Sequence, residues 1–153
     1  MPLLVVETVH SLARFVGQEI ATTEWFPVTQ DRIQHFAETT DDRQWIHVDR
    51  ERAQRDSPYG TTIAHGFLTL SVLSHFLQQA IQICGVRMSV NYGLNRVRFP
   101  APVPADSRIR ARFTLLVLKD IADGVEATFL VVIDGENSAK PCCVAEWVIR
   151  YHL

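Results

Sequence analysis

The chain holds 153 residues, 47% of them apolar and 21% charged, and 15 basic residues stand against 17 acidic ones for a net charge of −2. That length suits one domain, taken as residues 1–153, with enough chain to bury a real core. The composition excludes disorder and low complexity as whole-chain descriptions, and the charge gives no bulk basic character for nucleic acid.

Leu3–Val6 is apolar, but too short and too poorly flanked for a signal peptide, and no apolar run reaches the roughly 20 residues that span a bilayer. Residues 8–16 predict a short helix stopped at Gly17. Residues 19–28 read as extended, rich in β-branched and aromatic side chains. Thr29 is the expected N-cap of a helix from Gln30 to about Glu38, with Ile33, Phe36 and Ala37 on one stripe. Thr39–Gln44 lacks core periodicity and reads as a loop. Asp49 is expected to cap a short helix over 50–55, and Ser57-Pro58-Tyr59-Gly60 is a turn. Residues 66–83 form the strongest helical pattern, apolar nearly all round and therefore buried, with Gly85 as its stop.

Strands follow. Met88–Phe99 is one extended segment. Pro100, Pro102 and Pro104 enforce an extended connection. Residues 108–115 alternate charged with apolar, the period of a half-buried strand. Asp123-Gly124 turns into a strand over 125–133, residues 134–137 turn again, and 141–151 closes the set. Short turns between strands imply an antiparallel sheet with one wet face. Arg108, Arg110 and Arg112 fall on that face, with Glu126 or Glu146 as expected partners, or alternatively a phosphate-bearing ligand. Cys84, Cys142 and Cys143 are an odd count and no disulfide framework, so free thiols and a reducing cytoplasm are expected. Cys142 and Cys143 are adjacent and should face different environments.

Three features bear on chemistry. Asp42 and His47 share the loop after the second helix, and a carboxylate beside an imidazole is a pair for moving protons. The plainer reading is that Asp42 caps a turn and His47 is a partly buried histidine. Gly66 opens the long helix, where uncovered amides suit a developing oxyanion, or it merely permits close packing. Ser74 either reaches a ligand or bonds back to its own helix. His35, Asp41, Asp42, His47, Asp49 and His65 are ligand-type residues, but none has the spacing of a known zinc or iron motif, and no metal is expected.

Together these stretches resemble the MaoC-like dehydratases (the hydratase 2 family), in particular the nodulation-protein-N-like branch. That family's loop reads Gly-Asp-x-Asn-Pro-(Ile/Leu)-His-x-Asp. The matching stretch is Asp41-Asp42-Arg43-Gln44-Trp45-Ile46-His47-Val48-Asp49, and Ile63-Ala64-His65-Gly66 matches the family's Ile-x-His-Gly. Residues 91–103 resemble the strand and proline-rich turn that follow. Asp41 replaces a glycine, and Gln44-Trp45 replaces Asn-Pro, as in the nodulation-N-like branch.

The resemblance implies an α+β hot-dog fold, with a curved antiparallel sheet wrapped around one long central helix over 66–83. It implies a homodimer and a thioester of coenzyme A or acyl carrier protein as substrate, with no separate cofactor. The implied reaction is reversible addition of water to a 2-enoyl thioester, giving the (R)-3-hydroxyacyl thioester. Asp42 and His47 are then catalytic, the Gly66 N–H is the oxyanion donor, and Gln44, His65 and Ser74 lie beside the substrate. An acyl-CoA thioesterase of the same fold is the rival, but 66–83 contains no carboxylate to drive it. A non-catalytic acyl-thioester-binding protein is the rival from another class.

Overall fold

The computed structural model describes residues 3–153, and Met1 and Pro2 lie outside the described residues. Its centre is a six-stranded antiparallel sheet. β1 (Leu4–Val6) lies outside that sheet. β2 (Glu19–Thr22) and β3 (Phe26–Val28) both pair with β6 (Ser107–Ile121). β6 pairs with β7 (Gly124–Gly135), β7 with β8 (Cys143–His152), and β8 with β5 (Met88–Arg98), which forms the far edge.

The alternation read from the sequence sets the faces. Val125, Ala127, Phe129, Val131 and Ile133 of β7 are all fully buried. Ile109, Ala111, Phe113 and Leu115 join them from β6, and Ala145, Trp147, Ile149 and Tyr151 from β8. Each large side chain so buried contributes about 1.5–3 kcal/mol. The opposite face carries the arginines, whose partners differ from those expected. Arg108 pairs with Glu136 at 2.7 Å, and Arg112 with Asp134 at 2.8 Å and Glu19 at 3.5 Å. Glu126 is taken by Arg150 at 2.9 Å instead. The register explains this, because Arg110 stands opposite Asp134 while Glu126 lies near the other end of β7, opposite Lys119.

The first half is helical. A 3-10 helix (Val9–Phe15) is capped by Thr8, whose hydroxyl accepts from Ser11 N. α1 (Gln30–Thr40) is capped by Thr29. α2 (Trp45–Val48) is a single turn, and α3 (Arg50–Asp56) is capped by Asp49, whose carboxylate accepts from Arg52 N at 3.0 Å. Residues 19–28 are extended, as the strands β2 and β3. Between them Thr23 exchanges bonds with Ala111, its N–H donating to the carbonyl and its hydroxyl accepting from the amide.

The single long central helix is not observed. Residues 66–83 divide into α4 (Gly66–Ser71), α5 (Leu73–Ala80) and β4 (Ile81–Ile83). Val72 leaves helical geometry at φ −79°, ψ 0°. β4 pairs in parallel with β1. An all-apolar surface does not distinguish a buried helix from a helix running into a buried strand, and β-branched Ile81 and Ile83 favour the strand once β1 is beside them. The expectation of a curved sheet wrapped round one helix is corrected with it. The sheet is an open layer with edges at β2 and β5, and short helices lie against its apolar face, α4 on β8 and α5 on β6. The result is an α+β, hot-dog-like arrangement.

Cys142 and Cys143 share burial rather than differing in it. Cys142 precedes β8, so strand alternation does not govern it. Burial pushes both thiols up, Cys143 to about 12. No helix among the described residues is long and apolar enough to cross a membrane.

Gly124 opens β7 where the chain must pass tight against β8. A Cβ there would lie 1.8 Å from the Tyr151 carbonyl oxygen, a backbone atom that cannot swing away. Gly124→Ala is expected to cost on the order of 3 kcal/mol. Its Tm in a thermal melt should fall by roughly 6–12 °C.

Candidate active site

The site is built where α1 stops. Asp41 ends the helix in the left-handed region, φ 61° and ψ 14°, a conformation that Asp tolerates better than most residues. The sharp exit turns the Asp42 carbonyl toward His65, whose Nε2–H donates to it at 2.9 Å. The Asp42 side chain stays exposed, with one carboxylate oxygen 3.4 Å from Gln44 N. That contact is long for a turn cap and leaves the other oxygen free.

α2 carries His47 inward to 7% exposure. Three bonds lash this turn in place. Ile63 N donates to the Ile46 carbonyl at 3.0 Å, and His47 Nδ1 meets the Ile63 carbonyl at 2.7 Å. Gln30 Nε2 donates to the His47 carbonyl at 2.8 Å. A carbonyl only accepts, so Nδ1 carries the proton and Nε2 of the neutral ring keeps its lone pair. Burial lowers the His47 pKa below its usual 6.5, the largest influence on it; the Ile63 bond and Asp42 oppose this in part, while His65 adds to it. His47 therefore stands as a neutral base at pH 7.

His65 caps the start of α4 and stacks on His47, the rings 3.8 Å apart and 23° from parallel. Its Nδ1 is buried without a hydrogen-bond partner. The first bonds of α4 run from Leu68 N and Thr69 N to the His65 carbonyl. The Gly66 and Phe67 amides therefore precede the helix's own ladder. Asp42, His47, His65, Gly66, Phe36 and Phe99 all border one cavity of about 470 Å³.

Of the residues singled out from sequence, Asp42, His47, His65 and Gly66 come together here. Gln44 does not border the cavity; its carbonyl receives His47 N, and its side chain makes no capping bond. Ser74 lines a different cavity, beside Leu77, Trp147 and Tyr151. One atom each from Asp42, His47 and His65 lie within 4.8 Å of one another. His47 Nδ1 and His65 Nε2 are taken by the Ile63 and Asp42 carbonyls, which leaves His47 Nε2 and His65 Nδ1 as the free ring nitrogens.

Gln30 was invisible to motif reasoning. Its carbonyl oxygen accepts from the hydroxyl of fully buried Thr62, and its backbone N–H donates to Asp106 at 3.1 Å. Gln30→Met keeps much of the shape but orphans the His47 carbonyl and the Thr62 hydroxyl. We expect a loss of about 2–4 kcal/mol, read as a lower urea midpoint with an unchanged slope.

An antiparallel sheet with short helices on its apolar face, and an acid–imidazole pair seated beside a glycine amide, place the protein in the hot-dog-like α+β class. The MaoC like domain matches residues 11–135, and the chain belongs to that family. It is 48% identical over 146 residues to 3-hydroxyacyl-thioester dehydratase Z of Mycobacterium tuberculosis, covering 95% of this chain and 96% of that protein. It is 44% identical over 135 residues to Nodulation protein N of Rhizobium leguminosarum bv. viciae, covering 87% of this chain and 84% of the relative. A MaoC-like dehydratase from Rhodospirillum rubrum superposes with a TM-score of 0.75 at 19% identity, over 97% of this chain and 99% of that one.

Proposed function

We propose that the protein is a carbon–oxygen lyase that reversibly hydrates 2-enoyl thioesters to (R)-3-hydroxyacyl thioesters. The observation that carries this reading is the free Nε2 lone pair of a neutral His47 beside the Asp42 carboxylate. The family and the 3-hydroxyacyl-thioester dehydratase at 48% identity support it.

The thioester carbonyl draws electrons from the double bond and leaves C3 electrophilic. Asp42 and His47 hold one water in the cavity. As its oxygen bonds to C3, the pair takes its proton and the carbonyl oxygen takes the charge. The Gly66 N–H donates to that oxygen. The enolate then collapses, C2 receives the proton, and one water has been added. The cycle runs backward as dehydration. Acid–base groups of this kind each contribute about 10²–10⁴ in rate, and an oxyanion donor about 10²–10³.

The substrate is carried as a coenzyme A or acyl carrier protein thioester, and no metal or added cofactor enters the steps. The chain works as a single domain in a cytoplasmic homodimer. The edge strand β5, which exposes Met88, Val90, Tyr92 and Leu94, supports a partner copy there. Neither α4 nor α5 carries an Asp or Glu, which argues against a thioesterase.

The test is loss of enoyl absorbance with crotonyl-CoA and a chain-length series, with chiral analysis of the product. Formation of the (R)-3-hydroxy thioester is expected. Free-thiol release without hydration would transfer the protein to the thioesterases. Binding of every thioester without turnover would make it a carrier.

A further inference from the structure

His65 touches every part of the catalytic arrangement, yet the hydration steps give it no task. Its Nε2–H donates to the Asp42 carbonyl at 2.9 Å. Its ring stacks on His47 at 3.8 Å, and Phe36 tilts against it at 4.9 Å. Its own carbonyl receives Leu68 N and Thr69 N. A peptide unit is planar, so a carbonyl held in this way fixes the direction of the Gly66 N–H across the same bond.

Packing alone does not call for a histidine here. The residue is buried, and its Nδ1 has no hydrogen-bond partner. A buried acceptor left unpaired costs stability, and a phenylalanine would stack on His47 without one. What phenylalanine lacks is the donor for the Asp42 carbonyl. A glutamine could supply that donor but has no ring to cover His47. The imidazole does both.

We propose that His65 is a positioning residue for the hydration, setting Asp42 and His47 against one water by holding the main chain of the first and the ring face of the second. The proposal rests on the enoyl-thioester reading above. A misplacement of about 1 Å in such a pair costs up to about 10²-fold in rate. The ring also bears on the protonation of His47. Burial is the largest influence lowering the His47 pKa, and His65 adds to the lowering, while Asp42 opposes it. From α1, Phe36 and Thr40 border the cavity, and His35 and Glu38 are exposed. At the start of α3, Glu51 is exposed, and Asp49, Arg50 and Arg52 are engaged with the Arg52 amide, Asp106 and the Trp45 ring.

The experiment measures kcat and KM from about pH 5 to 8, with the best 2-enoyl-CoA of the chain-length series, in the wild type, His65→Phe and His65→Gln. A thermal melt of each reports folding. His65→Phe keeps the stack and loses the Asp42 bond. His65→Gln keeps an amide N–H where Nε2 sits and loses the stack. We expect kcat to fall about 10–10²-fold in each, with KM within about twofold. The acid midpoint of kcat/KM should rise toward 6.5 in both, and further in His65→Gln, where the cover over His47 is thinner. A ring that only filled space would lower the melting temperature and leave kcat and the midpoint alone. Wild-type kcat in the folded variants overturns the proposal, as does a loss carried by KM alone. A fall in kcat with no shift of the midpoint in either variant overturns the part assigned to the ring face on His47. If one variant does not fold, the other decides by the same readouts. Failure of the wild type to hydrate any thioester overturns the enoyl-thioester reading instead, so the two failures are distinguishable.

Discussion

Asp42→Asn is expected to keep its fold and to lose about 10²–10⁴ of kcat/KM for 2-enoyl thioesters. The fold survives because the carboxylate is exposed and makes one side-chain contact, at 3.4 Å from Gln44 N. The Asn oxygen still accepts there, and exposed substitutions of this kind stay within about 0.5 kcal/mol. What disappears is a group that can hold water through a negative oxygen and share its proton with His47. The bond from His65 to residue 42 goes to the backbone carbonyl, so the stacked histidines keep their places. Circular dichroism and a thermal melt should therefore match the wild type while turnover collapses. An Asp42→Asn protein hydrating crotonyl-CoA at the wild-type rate would sink the mechanism.

The strands were legible because alternation at period two is hard to mistake when one face is as apolar as Ile109, Ala111, Phe113 and Leu115. Turn residues at 123–124 and 134–137 then fixed the hairpins. Residues 66–83 were misread because pattern alone cannot see a partner strand. Ile81–Ile83 become a strand only because Leu4–Val6, some seventy-five residues earlier, lies beside them. The loop spacing from Asp42 to His47 and the glycine at 66 stood out as a motif. Gln30 did not, since it acts through contacts between distant parts of the chain. Gln30 reaches His47 across 17 residues and Thr62 across 32. Replacing the family's Asn-Pro by Gln44-Trp45 removed a rigid turn in sequence. The structure replaces that rigidity with bonds from Ile63 and Gln30 to the α2 backbone, and Arg52 lies 4.3 Å over the Trp45 ring.

Substituting His47 is expected to cost as much as substituting Asp42, and pH separates the two. His47→Asn places an amide N–H where Nδ1 sits and can still satisfy the Ile63 carbonyl, so it isolates the loss of the base better than alanine does. His47→Ala would leave that carbonyl unpaired, at about 1–3 kcal/mol. Activity in His47→Asn should fall about 10²–10⁴-fold. Because burial lowers the His47 pKa, the wild type keeps its neutral base at pH 7 and loses it on acidification, with a midpoint of kcat/KM below 6.5. That acid limb should vanish from the residual activity of His47→Asn. In Asp42→Asn it should persist and move lower still, since the Asp42 charge is one of the influences that raise the His47 pKa. Stability follows the same sign. The unfolded chain binds the His47 proton more tightly than the folded one, so this contribution is present in full above 6.5 and is lost as pH falls through the lowered value. A urea titration at pH 7 and pH 5 should show a smaller pH difference in His47→Asn than in the wild type. An acid limb unchanged in His47→Asn would assign the essential base to another group in the cavity.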